Sequence, residues 1–362
     1  MEPRKQALHC DGFDNTSSKK AQESSLSQQY GGLHARGWVD YLPELWVPWI
    51  QLCRLSPPAA LFLVYFPPIF GVLHATVAAR AEGSFGNHHS AVNVLYVCAV
   101  LFPAAFFGSN AAHAWNDLID APLDAQVART RDRPIPRGAI SVQAAALFAL
   151  AQAICVLTTL WLFLSAQAAM AALPAFAGTA YYPFAKRHLD WPQVVLGFCL
   201  TWAIMVGSSA VAREDSTRSM PWTDASTLAL LLAAMSWVVI FDTVYAHQDI
   251  ADDVRLGIGS TAVAMRRAGL STAFSRRLPL WALLTGMVAG LTASGYLADM
   301  GMPYYVLTVG GSALSVGAMV ASVNLDDPVD CWRWFSQGFW ATGLAIATGL
   351  VVEYLRLEFV FF

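Results

Sequence analysis

Two clusters of oxygen-bearing side chains follow apolar stretches of the chain, and their spacing suits cation binding. In the first, Asn116, Asp120 and Asp124 recur every four residues, which places them in one stripe along a helix. In the second, FDTVYAHQDIADD, Asp249 and Asp253 have the same spacing. Oxygen ligands at this density are typical of Mg²⁺, which keeps waters and binds substrate phosphates. The two clusters therefore predict a magnesium–diphosphate site.

Further aspartates lie beside these clusters. Asp117 is adjacent to the first stripe, and Asp242 precedes Asp249 by two helical turns, on the same face but deeper in an apolar stretch. An ionisable group at membrane depth is costly and indicates function by default. A helix that becomes polar on leaving a bilayer would explain one cluster alone, although such ends more often carry Lys or Arg. Two clusters on one membrane face favour a shared site.

Basic residues accompany both clusters. They follow the first cluster, occur within YYPFAKRHLDWPQ, and follow the second cluster: Arg129, Arg131, Arg133, Arg137, Lys186, Arg187, Arg255, Arg266 and Arg267. Arginine matches phosphate oxygens bidentately, and lysine adds a point charge. Positive-inside loops also collect such residues. For any single residue both interpretations stay open, whereas the whole set favours an anionic ligand.

The composition is that of an integral membrane protein. Of 362 residues, 56% are hydrophobic and 13% charged, against about 25% charged in soluble domains, and the mean hydropathy is +0.46. The net charge of −3 gives no indication of a nucleic-acid partner. The six cysteines are widely separated and form no C-x-x-C pair, so neither a disulfide framework nor a zinc site is predicted.

The chain divides into three parts. Residues 1–37 are predicted to be a disordered polar tail, 38–56 a Trp-rich interfacial lead-in, and 57–356 an all-α membrane domain. Since roughly 20 apolar residues cross a bilayer, we predict nine transmembrane helices in a bundle around a central cavity. They span 58–79, 92–115, 142–164, 167–185, 191–211, 225–247, 279–298, 303–323 and 334–355.

Lys and Arg set the expected orientation. Most of the 22 fall in the tail and in the loops after even-numbered spans, which predicts that the N-terminus and both acidic clusters face the cytosol. The tail has Arg4 and Arg36 but also Glu2, Asp11 and Asp14, unlike an Arg-rich transit peptide that is poor in acids. The tail is therefore not predicted to be a mitochondrial transit peptide.

These motifs resemble those of the UbiA-type membrane prenyltransferases. NDLIDAPLDAQVARTRDRPIPRG is similar to the family's first aspartate-rich motif, N-D-x-x-D-x-x-x-D, with its Arg-x-x-x-Arg-Pro-x-Pro tail. YPFAKR resembles its tyrosine–lysine loop, and YAHQDIADDVRLGIGST resembles its second motif, D-x-x-x-D. YAHQD in particular is like the 4-hydroxybenzoate polyprenyltransferase branch. The resemblance covers about residues 50–355.

The resemblance implies an enzyme that uses Mg²⁺ to transfer an isoprenoid chain from its diphosphate to a carbon of an aromatic acceptor. It implies a cavity open to the membrane and capped by the loop VRLGIGSTAVAMRRAGLSTAFSRR. Asn116, Asp120 and Asp124 would bind one magnesium–diphosphate face, and Asp249 and Asp253 the other, the four aspartates being the catalytic set. The diphosphate would be held by Lys186, Arg133, Arg187 and Arg129.

Two branches of the family compete as the closer match. One carries out secondary metabolism in endomembranes, usually joining farnesyl diphosphate to an aromatic polyketide acid or pyrone in a meroterpenoid pathway. The other is the mitochondrial 4-hydroxybenzoate polyprenyltransferase of ubiquinone biosynthesis. The tail composition favours the first, and with it an endomembrane location of the ER or Golgi type. A transporter would place its carboxylates near the midplane and would not need basic residues beside both clusters. Beyond the two small-molecule substrates and the lipid bilayer, no partner is indicated.

Overall fold

The computed structural model describes residues 31–32, 37–83, 89–211 and 221–360. Over these ranges all regular secondary structure is helical, which confirms the all-α prediction. The tail predicted for residues 1–37 falls almost wholly outside them.

The helices follow one another with short connections. A 3-10 helix, Trp38–Tyr41, comes first, and further 3-10 turns lie at Pro221–Thr223 and His247–Asp249. Two stretches have π-helical hydrogen bonding, Tyr304–Gly310 and Trp334–Gly338. The α-helices are α1 (Val47–Leu52), α2 (Ala59–Ala81), α3 (Ala91–Asp124), α4 (Val142–Phe163), α5 (Ala166–Ala171), α6 (Leu173–Ala185), α7 (Pro192–Thr201), α8 (Ala203–Val211), α9 (Ala225–Ala246), α10 (Ile250–Leu256), α11 (Thr261–Arg267), α12 (Ala273–Leu297), α13 (Gly311–Ser322), α14 (Pro328–Arg333) and α15 (Phe339–Val360).

The predicted count of nine spans is not confirmed. Within the described ranges, eight helical segments are long and apolar enough to cross a membrane. The predicted span 167–185 is absent from them because it is divided into α5 and α6, which meet at Ala172. Pro174 lies just after this break, and a proline there cannot continue the preceding helix, since its ring clashes with the carbonyl four residues earlier.

Helix α9 occupies the centre of the bundle. Its Trp237, Ile240 and Phe241 are almost completely buried, and it packs against α7 and α12. By contrast α4 exposes much of its length, including Leu150 and Trp161. A helix that is apolar all round belongs either in a protein core or in a membrane. Helix α9 lies in the protein core, whereas the exposed apolar surface of α4 suits a membrane.

Small residues let α2 and α8 cross at very close range. A Cβ built on Gly71 would lie 2.0 Å from the Ile204 carbonyl oxygen, and one on Gly207 would lie 1.9 Å from that of Pro68. Such contacts are typical of membrane helices, where small residues allow the backbones to approach. This crossing fixes α2 beside the polar cavity described below.

Helix α3 is longer than the predicted span 92–115. It begins at the Ser90 cap, whose side chain accepts from the Asn93 backbone N–H, and continues to Asp124. The additional turns carry the first acidic stripe beyond the apolar part. Because α9 continues through His247–Asp249 into α10, the second acidic cluster is likewise carried on the end of a long helical segment.

Candidate active site

The first acidic stripe lines a polar cavity at one end of the bundle. Asn116, Asp120 and Asp124 face this cavity, whose volume is about 220 Å³. The spacing of four residues along α3 brings them to one face, as predicted. Asp117, one residue from the stripe, is fully buried and does not line the cavity. The structure thus separates Asp117 from the predicted ligand set.

The second acidic cluster faces the same cavity. Asp249 and Asp253 both line it, and the Ser260 hydroxyl lies 3.3 Å from the Asp253 Oδ2 atom, to which it donates. Asp252 is not among the lining residues and pairs with Arg255 at 2.8 Å. Five side chains predicted as metal ligands are therefore brought together from two distant segments.

Each of three cavity carboxylates is paired with a cation. The Lys186 Nζ atom donates to Asp120 at 2.9 Å, and Arg133 donates to Asp124 at 2.9 Å. The third pair joins Arg129 to Asp249, with 2.5 Å between Nη2 and Oδ2. Lys186 also donates to the Asn116 side-chain oxygen at 3.1 Å. The cavity wall thus alternates acidic and basic groups.

These contacts keep the cations protonated. Burial opposes the charge on Lys186, but the Asp120 carboxylate outweighs it and holds the pKa of the ammonium group above its ordinary value. Burial acts in the same way on Arg129, and Asp249 raises the pKa of its guanidinium. Neutralised pairs in a buried site are stable only while both partners remain charged. The cavity therefore offers fixed positive charge to an anion.

Arg187 lies apart from the other predicted diphosphate ligands. Its Nη2 atom donates to the Ile119 backbone carbonyl at 2.9 Å, its guanidinium covers the Phe184 ring, and it does not line the cavity. The neighbouring residue, Lys186, does line the cavity. Consecutive residues on a helical turn point in different directions, so the two basic residues of one motif are separated by geometry. The placement gives no support to Arg187 as a phosphate ligand.

The sequence reasoning missed Arg54 as a cavity residue. Arg54 belongs to the lead-in 38–56, lines the cavity and donates to Asp117 at 2.7 Å. Arg133 donates to the same carboxylate oxygen at 3.1 Å. Asp117 therefore holds two arginines in place rather than facing the cavity. A buried aspartate without an evident cation nearby in sequence was the only signal for such a distant partner.

The loop after the second motif closes against the Lys186 segment. The Gly259 backbone N–H donates to the Lys186 carbonyl at 2.7 Å. A Cβ at Gly259 would lie 1.9 Å from the Leu189 carbonyl oxygen, so only glycine fits. This contact fixes the backbone on which Lys186 stands, and it agrees with the expectation that this loop covers the site.

An apolar groove adjoins the polar cavity. It has a volume of about 370 Å³ and lies between α2, α3, α4, α6, α7 and α8. Ala112, Thr179 and Leu200 line both spaces. Along α3 the groove is lined from Trp115 to Leu101, and the part from the shared residue Ala112 to Leu101 is three helical turns or about 16 Å. A charged cavity that joins an apolar groove suits a ligand with an anionic head and an apolar chain.

The oxygen-bearing side chains of the cavity fit Mg²⁺ if a second molecule, such as a substrate phosphate, also binds the ion. In the described part of the chain, no three His, Cys, Asp or Glu side chains converge closely enough to hold a metal by themselves. Yet the Asp120 Oδ1 atom is buried and accepts no hydrogen bond, so one ligand position is available. Mg²⁺ usually takes one or two carboxylates and completes its coordination shell with waters and substrate phosphates. The cavity carboxylates match this preference.

The chain resembles curated proteins over most of its length. Residues 69–343 match the model of the UbiA prenyltransferase family. A mitochondrial 4-hydroxybenzoate polyprenyltransferase of Schizosaccharomyces pombe is 32% identical, covering 90% of this chain and 85% of the relative. The UbiA prenyltransferase claS of Ampulloclitocybe clavipes is 31% identical, covering 85% and 91% respectively.

Solved structures show the same fold. A UbiA homologue from Aeropyrum pernix K1 superposes with a TM-score of 0.62 at 23% identity, covering 79% of this chain and 97% of that one. A homologue from Archaeoglobus fulgidus, bound to GPP and Mg²⁺, gives 0.56 at 18% identity, with 84% and 99% covered. With its motifs, its fold and its relatives in agreement, the chain belongs to the UbiA family and is a membrane prenyltransferase.

Proposed function

We propose that this enzyme transfers an isoprenoid chain from its diphosphate to a ring carbon of a phenolic acceptor, and that the transfer depends on Mg²⁺. The observation that carries the proposal is the junction of the acidic and basic cavity with the apolar groove. An isoprenoid diphosphate has the same division into a charged head and an apolar chain. The homologue from Archaeoglobus fulgidus was solved with GPP and Mg²⁺, which supports a donor of this kind together with Mg²⁺.

In this proposal the cavity residues exchange partners when the donor binds. Asp120 and Asp249, now paired with Lys186 and Arg129, would hold magnesium, and Lys186 and Arg129 would then bind the diphosphate oxygens. Asn116, Asp124 and Asp253 complete the two acidic faces. When bound, Mg²⁺ would neutralise charge on the departing diphosphate. The fixed basic groups stabilise the same charge as the carbon–oxygen bond breaks.

The walls of the cavity suit the allylic cation left behind. Tyr182, Tyr245 and Phe335 line the cavity, and their ring faces attract a cation without reacting with it. Tyr182 already has the Lys186 ammonium 4.7 Å from its ring centre. Because the adjoining groove is apolar, it keeps water from the cation while the acceptor ring attacks.

For the substrates, we propose a farnesyl donor and an aromatic polyketide or other phenolic acceptor, as in meroterpenoid biosynthesis on an endomembrane. The stretch of the groove from Ala112 to Leu101, about 16 Å along α3, is comparable with an extended farnesyl chain and supports this choice. A second candidate is 4-hydroxybenzoate polyprenylation in mitochondria, favoured by the name of the relative from Schizosaccharomyces pombe.

A donor-by-acceptor matrix tests the proposal and separates its two forms. Microsomes holding the protein receive Mg²⁺, one of several isoprenoid diphosphates and one of a panel of phenolic acids. We expect a C-prenylated product, with farnesyl diphosphate and a polyketide-derived acid as the best pair. Preference for a long polyprenyl donor with 4-hydroxybenzoate, together with sedimentation in the mitochondrial fraction, would replace the first form by the second. Absence of product from every pair would overturn both.

A further inference from the structure

Asp242 lies where the charged and apolar parts of the cavity meet. It lines the cavity on the same helical stripe as Val238, Tyr245 and Asp249. Val238, one turn deeper, is apolar, whereas Asp249, two turns shallower, belongs to the second acidic motif. Two turns correspond to about 10 Å along the helix. The carboxylate is therefore set back from the diphosphate end, at the level where a ring placed beside the reacting carbon would lie.

The partners of Asp242 differ from those of three other cavity carboxylates, whereas Asp253 also has no ion pair among the described residues and accepts from Ser260. Asp120, Asp124 and Asp249 each form an ion pair, but no ion pair of Asp242 occurs among the residues that the structure describes. The Gln193 side chain lies close to Asp242, and both residues line the cavity. The Asp242 side chain is only partly buried, so the carboxylate keeps access to the cavity.

Gln193 is held in one orientation by the loop that follows the second motif. Its Oε1 atom accepts from the Thr261 backbone N–H at 2.9 Å and from the Thr261 hydroxyl at 2.8 Å. An amide oxygen that faces two donors fixes the flip of the group, so the amide nitrogen is the end turned away from Thr261. Gln193 is itself buried. Asp242 therefore has a neutral amide held in one place beside it in the cavity lining, where three of the other aspartates have cations.

We infer that Asp242 is the base that removes the ring proton after prenyl transfer, an inference that rests on the proposed function. Attack of the ring on the allylic cation forms the carbon–carbon bond and leaves a hydrogen on the substituted ring carbon. That carbon–hydrogen bond breaks, its electron pair restores the aromatic ring, and the proton passes to an Asp242 carboxylate oxygen. The resulting carboxylic acid returns the proton to water when the product leaves. A carboxylate at hydrogen-bond reach is a suitable base.

The variant Asp242→Asn tests this assignment, because it keeps the shape of the side chain and removes the carboxylate that would take the proton. We expect prenylated product to fall by about 10²-fold or more. Diphosphate release should fall less, so that more than one diphosphate is released per product, with free isoprenoid alcohol accounting for the difference. An acceptor deuterated at the substituted ring carbon should show a normal isotope effect in the variant that is larger than in the wild type.

Asp190→Asn is the matched control, since Asp190 pairs with Arg267 on the exposed surface and should keep wild-type rates. If Asp242→Asn keeps wild-type product formation, the inference is overturned. It is equally overturned if diphosphate release and product fall together without an isotope effect, because Asp242 then acts in donor binding or folding. Wild-type protein that makes no product would instead refute the proposed function, and the two failures are distinguishable.

Discussion

The Arg129 guanidinium donates from Nε to both carboxylate oxygens of Asp249, at 2.9 Å and 3.2 Å, across 120 residues of sequence. A further bond joins its Nη1 atom to the Tyr245 hydroxyl at 2.8 Å. The loop after α3 is thereby tied to the end of α9. Charge compensation between the two motifs, rather than proximity in sequence, assembles the cavity.

Single substitutions in the second motif should distinguish the aspartates that face the cavity from the one that does not. We expect Asp249→Asn and Asp253→Asn each to lower prenyl transfer by at least about 10²-fold, because each removes a charge that faces the cavity. Asp252→Asn is the control, since Asp252 pairs with Arg255 outside the cavity. Rates are compared in membranes containing equal amounts of inserted protein. Equal losses in all three variants would show that the motif acts through folding.

Arg129 should not be replaceable by lysine. Arg129→Lys keeps the charge but removes the fork that now binds Asp249 and Tyr245 and that, in the proposed function, binds the diphosphate oxygens. An ammonium cannot reproduce this fork. Losing charge-assisted hydrogen bonds of this kind costs about 1.5–3 kcal/mol. We expect kcat/KM for the isoprenoid diphosphate to fall by roughly 10-fold to 100-fold. Arg267→Lys, on the exposed surface, should leave this value unchanged. An unaltered kcat/KM in Arg129→Lys would contradict this role.

Gly259→Ala should inactivate the enzyme without preventing insertion. The new Cβ would lie 1.9 Å from the Leu189 carbonyl oxygen, so the loop must move and its hydrogen bond to the Lys186 carbonyl must break. Gly286→Ala is the control because a Cβ there meets nothing within 4 Å, and alanine favours a helix by about 1 kcal/mol. Activity and thermal stability are measured for both. Full activity in Gly259→Ala would show that this loop does not position Lys186.

A bulky residue two turns along the groove should shorten the accepted chain. Ala105 lines the groove between Ala112 and Leu101, so we expect Ala105→Phe to lower turnover of farnesyl diphosphate while sparing dimethylallyl diphosphate. Ala151→Phe provides the control, because Ala151 is exposed on α4 and lies outside the groove. Donor competition assays give the ratio of the two rates. Equal loss with both donors would place the chain elsewhere.

Asp117 should matter for stability more than for chemistry. Its fully buried side chain pairs with Arg54 and Arg133, and breaking a buried pair costs about 3–5 kcal/mol. Asp117→Asn should therefore lower the free energy of unfolding by about that amount, measured by thermal unfolding in detergent. Asp190→Asn removes an exposed pair, for which about 0–1 kcal/mol is expected. Similar unfolding temperatures for both variants would rule out a structural role for Asp117.

The parts of the site that could be predicted from sequence are those set by helical periodicity. The spacing of Asn116, Asp120 and Asp124 is a property of one helix, and the structure places all three on one face. The same spacing of Asp249 and Asp253 works for the same reason. Local periodicity therefore sufficed for each acidic motif separately.

Contacts between distant segments escaped sequence reasoning. Nothing in the pattern of the lead-in links Arg54 to Asp117, and nothing near Gln193 points to Thr261 or Asp242. Arg187 shows the converse error, since motif membership suggested a ligand that helical geometry turns away from the cavity. Likewise hydropathy alone did not reveal the break at Ala172 that divides one predicted span.

The central claim is that prenyl transfer depends on Mg²⁺, which the two acidic motifs of the proposed site would hold. It is tested most directly by measuring C-prenylated product from purified protein in liposomes, with farnesyl diphosphate and a phenolic acid, before and after chelation of Mg²⁺. We predict product in the presence of Mg²⁺, none after chelation, and recovery when Mg²⁺ is restored. Product that forms equally well in the chelated sample would contradict the claim.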